Sequence, residues 1–229
     1  MSGNGGSGGN EGGGGRKRLA VLISGRGSNM EALIEAARAD GCPYEIVAVI
    51  SNRPQAKGLE TAAREGIATT VIDHEKFDSR EAFEEVLHET LLVFEAQLVA
   101  CAGFMRIMTG SFTSRWEGRM LNIHPSLLPL YRGLRTHERA LADGVRVHGC
   151  TVHFVTADLD GGPIIIQGAV PVLAGDTEDT LAARVLKVEH RIFPRAVELV
   201  ARGQVWLEDG VAKGEWTADG AAFITSPGL

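Results

Sequence analysis

Arg18-Leu19-Ala20-Val21-Leu22-Ile23-Ser24 runs into Gly25-Arg26-Gly27-Ser28 and then into Asn29–Ala39, where Leu33, Ala36 and Ala37 recur at helical spacing. A short apolar run, a glycine turn and a one-sided helix make a strand–turn–helix unit. The alternation continues outward. Tyr44–Ser51 reads as a strand, Gly58–Glu65 as a helix and Ile67–Ile72 as a strand. Asp78 or Ser79 caps a helix that carries Phe83, Val86, Leu87 and Leu91. Gln97–Ala102 is then a buried strand, a short helix is expected near Met105, and Met120–Ile123 is a further strand. Strands alternating with helices call for a parallel sheet covered on both faces, with ligands at the strands' carboxyl ends.

The pattern changes after residue 148. Cys150, Val152 and Phe154 alternate with Gly149, Thr151 and His153, a period-two strand with one polar face that directs His153 toward polar surroundings. Pro163–Val172 is a second strand, and the Asp158–Gly162 turn between them implies an antiparallel hairpin. Asp176 and Thr177 open a long helix with Leu181, Val185, Val188, Ile192, Ala196 and Leu199 on one stripe, which Pro194 should kink. Val205–Trp216 forms a small hairpin around Asp209-Gly210, and Ala221–Leu229 is a loose tail. The fold class is therefore α/β: a Rossmann-like, mostly parallel twisted sheet of about seven strands, helices on both faces, and an antiparallel hairpin addition.

The chain has 229 residues, 44% of them apolar, and a formal net charge of −6. That is enough for a real core, and the acidic balance without a polybasic run argues against nucleic acid as a partner. No apolar run approaches the ~18 residues needed to span a bilayer, and no signal pattern opens the chain, so no membrane partner is expected and the chain reads as cytoplasmic. Cys42, Cys101 and Cys150 are widely spaced in or beside apolar stretches, which fits reduced thiols, and they make no metal spacing. Met1–Gly15 holds nine of the 29 glycines and too little apolar surface to offset the entropy of ordering.

Three constellations carry chemistry. Gly25–Met30 opens the first helix, where backbone N–H groups and the helix end favour a phosphate. A nicotinamide dinucleotide fits poorly, because Met30 stands where its fingerprint needs a third glycine and the second strand ends in Val49-Ile50-Ser51 without an acid. In Asn122-Ile123-His124-Pro125-Ser126-Leu127-Leu128-Pro129, an extended backbone aims Asn122 and His124 the same way, ~6.6 Å apart. Pro125 disfavours helix at His124 and preserves that spacing. Asp160, in Asp158-Leu159-Asp160-Gly161-Gly162, supplies a carboxylate. An amide, an imidazole and a carboxylate aimed at one point suit acyl transfer, meeting an oxyanion and a moving proton together. Singly, each has a structural explanation: a tight turn capped by Ser28, a histidine satisfied by a backbone carbonyl, and an aspartate that builds a turn before two glycines.

Ile23–Asn29, Ala102-Gly103-Phe104-Met105-Arg106-Ile107, the Asn122–Pro129 stretch and Gly149–Pro163 together resemble the glycinamide ribonucleotide transformylase family of folate-dependent formyltransferases. The resemblance covers residues 17–205. It implies transfer of a formyl group from 10-formyltetrahydrofolate, as co-substrate, to the amine of glycinamide ribonucleotide in purine synthesis, with small-molecule substrates and no metal. With the composition of the leader and the pattern of the tail, the expected division is a disordered Gly-rich leader (1–16), a formyltransferase domain (17–205), and a terminal hairpin with a loose tail (206–229). The resemblance also implies that Asn122, His124 and Asp160 are the catalytic trio. Asn122 and a protonated His124 would stabilise the oxyanion, and Asp160 would favour the imidazolium and pass protons through water.

By the same resemblance Gly27, Ser28 and Asn29 hold the ribonucleotide's phosphate and Glu189 its polar body. Arg80, Met105, Arg106, Ile107 and Met108 line the folate site with Asn122 and with Thr156, Ala157, Asp158, Leu159 and Asp160. The structural alternatives are Met105 and Ile107 as core, Arg80 as a solvated helix residue and Glu189 as an exposed one. Family members share a cis peptide in the Leu-Leu-Pro segment, which points to Leu128-Pro129, and Leu130–Thr136 resembles a flap. Arg26 stands where an asparagine is often found, and Met108 where leucine is common. The competing readings are a formyltetrahydrofolate deformylase, whose members carry a longer N-terminal regulatory domain than this leader, and methionyl-tRNA formylation, which needs an appended tRNA-binding domain. A nucleotide-binding module without catalysis would leave the trio unexplained.

Overall fold

The structure, a computed structural model, describes residues 15–214. The leader through residue 14 and the tail from residue 215, including Trp216 and Ala221–Leu229, lie outside the described residues. One seven-stranded sheet has the order β3-β2-β1-β4-β5-β6-β7. Its strands are β1 (Lys17–Ile23), β2 (Tyr44–Ser51), β3 (Thr69–Val71), β4 (Leu98–Cys101), β5 (Met120–His124), β6 (Val147–Phe154) and β7 (Ile164–Pro171). β1 to β5 are parallel to one another, and β5–β6 and β6–β7 are antiparallel. The order reverses at β1, between β2 and β4, which opens a crevice at the carboxyl ends where α/β sheets take their ligands.

Alternate residues of each strand enter opposite cores. Leu19, Val21, Ile23, Leu121, Ile123 and Val152 pack with Met30 and Leu33 of α1 (Ser28–Ala37) and Leu181, Val185 and Phe193 of α6 (Glu178–Ala201). Ala20, Leu22, Val99, Cys101 and Met120 pack with Phe83, Leu87 and Leu91 of α3 (Arg80–Val93) and Phe112 of α4 (Gly110–Arg115). The remaining helices are α2 (Gly58–Arg64) and α5 (Thr136–Ala142), and β8 (Val205–Glu208) pairs with β9 (Val211–Gly214) across a turn in which Asp209 and Gly210 both have positive φ. No helix among the described residues is long and apolar enough to cross a membrane.

Several expectations change. No helix forms at Met105: residues 102–109 are irregular, and α4 begins at Gly110. Gly103 takes a positive φ of 76°, the Met105 N–H donates to the Ser24 hydroxyl, and Thr109 caps α4 by accepting from the Phe112 N–H. Val86 is 42% exposed, so α3 buries Glu84 with Phe83, Leu87 and Leu91 instead. The polar side of β6 is buried, with Thr151 against the Ser126 carbonyl and His153 against Asn122 and Asp160, the polar surroundings expected for His153. Ser79, rather than Asp78, caps α3, accepting from the Ala82 N–H at 3.1 Å. Helix α6, with the Thr177–Thr180 capping box at its start, continues through Pro194 to Ala201.

β6 and β7 approach so closely that a Cβ at Gly149 would stand 2.0 Å from the Gly168 carbonyl oxygen and 2.9 Å from Leu127. Gly149→Ala is expected to cost about 1–3 kcal/mol, the usual penalty of overpacking, read as a lower urea midpoint. Between α5 and β6, His137 Nδ1 lies 3.2 Å from His148 Nε2, and burial pushes both rings toward the neutral form, His148 down to about 4. An unfolded histidine titrates near pH ~6.5 and so takes up protons that the folded pair rejects. Stability should therefore fall as pH drops from ~6.5 toward 4, and the loss should be shallower in His148→Asn. Denaturant midpoints across that window test it.

Candidate active site

β5 is extended, so Asn122 and His124 share a face, and antiparallel pairing sets His153 opposite Asn122 and Thr151 opposite His124. Asn122 Nδ2 lies 3.2 Å from His153 Nε2, and His153 Nδ1 lies 2.9 Å from the Phe154 carbonyl. A carbonyl only accepts, so His153 carries its proton on Nδ1 and its Nε2 accepts from the Asn122 amide. Burial, the largest influence on it, pushes His153 toward that neutral form. The bond orients the Asn122 amide and leaves its second N–H for the cleft.

His124 is 6% exposed. Its Nε2 donates to the Tyr131 carbonyl at 3.0 Å, and its Nδ1 sits 3.4 Å from Asp160 Oδ2. The Asp160 carboxylate also accepts from the Gly133 N–H at 2.8 Å, and its other oxygen lies 3.8 Å from His153 Nε2. One carboxylate thus touches both histidines and the backbone of the segment Leu130–Arg135. Arg132 ties that segment again to Asp158 at 2.8 Å. Asp160 has a positive φ of 48°, and Gly162 is sterically required, since a Cβ there would lie 1.8 Å from the Phe154 carbonyl oxygen; one at Gly161 would meet only the Asp158 side chain. The segment after His124 is fixed by Thr151, whose hydroxyl donates to the Ser126 carbonyl at 2.7 Å and accepts from the Leu128 N–H at 3.0 Å. Gln167 donates to the Leu128 carbonyl, and the Leu128-Pro129 peptide is cis.

A cleft opens beside this group. Its walls include Arg106, Ile107, Met108 and Asn122 on one side and Thr156, Ala157, Asp158, Leu159 and Asp160 on the other. His153, Phe104, Cys101 and Val155 also line it and were missed by the sequence reading, which had only the period of β6 to go on for His153. His124 is not in the wall and stands behind Asp160. Arg80 is exposed in the first turn of α3, outside this wall, as is Met105, 62% exposed. Ile107 and Leu159, 50% and 45% exposed, give the mouth an apolar rim, so neither Met105 nor Ile107 is a core residue.

On the other face of the sheet, Gly27 rather than Ser28 occupies the N-cap of α1, with φ 80° and no side-chain cap. A Cβ there would meet Gly58 Cα at 3.2 Å, so both its conformation and its neighbour call for glycine. Ser28 and Asn29 form the first turn. Asn29 Nδ2 donates to Glu189 Oε2 at 2.7 Å across to α6, while Asn29 Oδ1 is buried without a partner among the described residues. Glu189 is 7% exposed, not solvated, and burial raises its pKa against the opposing pull of the Asn29 hydrogen bond.

Comparison with known proteins shows the family of the chain. Residues 17–197 match the formyl transferase family. The chain is 47% identical over 194 residues to phosphoribosylglycinamide formyltransferase of Escherichia coli, covering 85% of this chain and 92% of that protein. It is 52% identical over 192 residues to the trifunctional purine biosynthetic protein adenosine-3 of Bos taurus, covering 84% of this chain but 19% of that much longer protein. The crystal structure of phosphoribosylglycinamide formyltransferase from Brucella melitensis superposes with a TM-score of 0.79 at 54% identity, covering 82% of this chain and 96% of that one. By sequence and by fold, the chain belongs to the formyl transferase family.

Proposed function

We propose that this chain transfers the formyl group of 10-formyltetrahydrofolate to the amine of glycinamide ribonucleotide, with Asn122, His124 and Asp160 as the catalytic trio. The observation that carries the reading is the His124–Asp160 pair, 3.4 Å apart, beside an Asn122 amide oriented by His153. The substrate amine attacks the formyl carbon and a C–N bond forms, so the carbonyl oxygen gains negative charge. The free N–H of Asn122 stabilises that oxyanion, and His124 joins it as a donor when the bound formyl group replaces the Tyr131 carbonyl as the partner of its Nε2. The bond from the formyl carbon to the folate nitrogen then breaks, and the proton shed by the amine reaches that nitrogen through the Asp160 carboxylate and a water. No bond to the protein forms at any step.

The folate is assigned to the cleft between Arg106–Met108 and Thr156–Asp160, with Met105 and Arg80 at its outer end. The apolar rim and the backbone groups of the two loops suit a flat heterocycle. The ribonucleotide is assigned to the carboxyl edge on the β1 side, its phosphate to the N–H groups of Gly27, Ser28 and Asn29 and its polar body to Glu189. In keeping with an enzyme of small molecules, neither nucleic acid nor membrane is a partner, and the compartment is the cytoplasm.

His124→Ala and Asp160→Asn are each expected to lower kcat at least ~100-fold, the lower range for losing an acid–base or oxyanion group. Steady-state assays of tetrahydrofolate release check this, and near-normal turnover in both variants contradicts the assignment. Release in the absence of glycinamide ribonucleotide would indicate a deformylase. Arg80→Ala should raise the KM for folate with little change in that for the ribonucleotide, and the reverse split would remove Arg80 from the folate site.

A further inference from the structure

Residues 103–108, which carry Phe104, Arg106, Ile107 and Met108 of the cleft wall, form an irregular segment whose backbone N–H groups find no backbone partner among the described residues. Something else must hold its shape, because an unsupported loop of this kind samples many conformations. Two side chains do so. Near its start the Met105 N–H donates to Ser24 Oγ at 2.8 Å, and that hydroxyl donates in turn to Asn52 Oδ1 at 2.5 Å. At its end the Thr109 N–H donates to Glu84 Oε1 at 2.7 Å, while the Thr109 hydroxyl donates to Glu84 Oε2.

Glu84 is the unusual member. It lies inside α3, is 4% exposed, sits among the apolar residues Phe83 and Leu87, and forms no ion pair among the described residues. A buried carboxylate without a countercharge is costly unless its oxygens are hydrogen-bonded, and here both oxygens are bonded to one residue, Thr109. The same Thr109 hydroxyl accepts from the Phe112 N–H and so fixes the start of α4. The carboxylate therefore sets where the wall ends and the helix begins.

We propose that Glu84 is a positioning residue for the folate site: it does not touch the substrate but, with Ser24 at the other end, holds residues 105–109 in the form that receives the heterocycle. This rests on the assignment of folate to that cleft. Loss of the Glu84 oxygens frees the segment at Thr109, and binding must then bear the cost of ordering it.

The test is full steady-state kinetics on Glu84→Ala and Glu84→Gln, with thermal melting of each. In Glu84→Ala the KM for 10-formyltetrahydrofolate should rise about tenfold, the change expected on losing hydrogen bonds to a charged group. Its kcat at saturation and its KM for the ribonucleotide should stay within about twofold of the parent, because the trio is untouched. Glu84→Gln should restore most of the folate KM, since its amide can still accept from the Thr109 N–H and offers an N–H to the hydroxyl. If Glu84→Ala does not fold, Glu84→Asp, which keeps the charge but withdraws the carboxylate by one methylene, should show the same selective rise. A folded variant with unchanged folate KM, or one in which both KM values and kcat worsen together, overturns the proposal. Failure of the parent protein to bind tetrahydrofolate or to release it from its formyl derivative would instead defeat the folate assignment itself.

Discussion

The Asp160 carboxylate is the constraint around which this site is organised. It lies against His124 Nδ1, near His153 Nε2, and on the Gly133 N–H, so the end of β5, the segment after it and the end of β6 meet at one charged group. Holding it there requires a positive φ at Asp160 and, two residues on, Gly162, whose Cβ position is already filled by the Phe154 carbonyl oxygen. Backbone strain of this kind persists only where the surroundings over-determine it, and it concentrates where chemistry is done. The hydrogen bonds of Thr151 and Gln167 to the Ser126–Leu128 segment supply the same service on the His124 side.

The sheet explains how the two halves of the site come together. The Asn122 face of β5 belongs with α3 and α4, while the glycine turn, α1 and Glu189 belong to the opposite face. They share only the carboxyl edge at the β1–β4 crevice. Ser24, at the end of β1, reaches across that crevice to the Met105 N–H. A formyl donor and an amine acceptor held on either side of such an edge can meet at the edge itself, which converts a two-body encounter into a positioned one.

Much of this was legible in the sequence because the signals were local. The Arg18–Ser24 run, the glycine turn and the period of Asn29–Ala39 define a strand, turn and helix without any tertiary information. The Asn122–His124 spacing followed from strand geometry and from Pro125. What stayed hidden depended on contacts made at long range. Met105 sits in a stretch with no breaker strong enough to rule out a helix, and its N–H is drawn away by Ser24, 81 positions earlier. Val86 has the right period for α3 but faces outward, and Glu84 is buried because Thr109 satisfies it. His153 reads as one polar residue on an alternating strand, and its part in orienting Asn122 becomes visible only through the β5–β6 register.

The claim at the centre is that His124 and Asp160 act as one unit in formyl transfer. A double-mutant cycle on turnover with glycinamide ribonucleotide and 10-formyltetrahydrofolate, using His124→Ala, Asp160→Asn and the pair combined, measures this directly. A single unit predicts that the combined variant is little slower than the worse single variant. Losses that multiply, as for two independent groups, would contradict it.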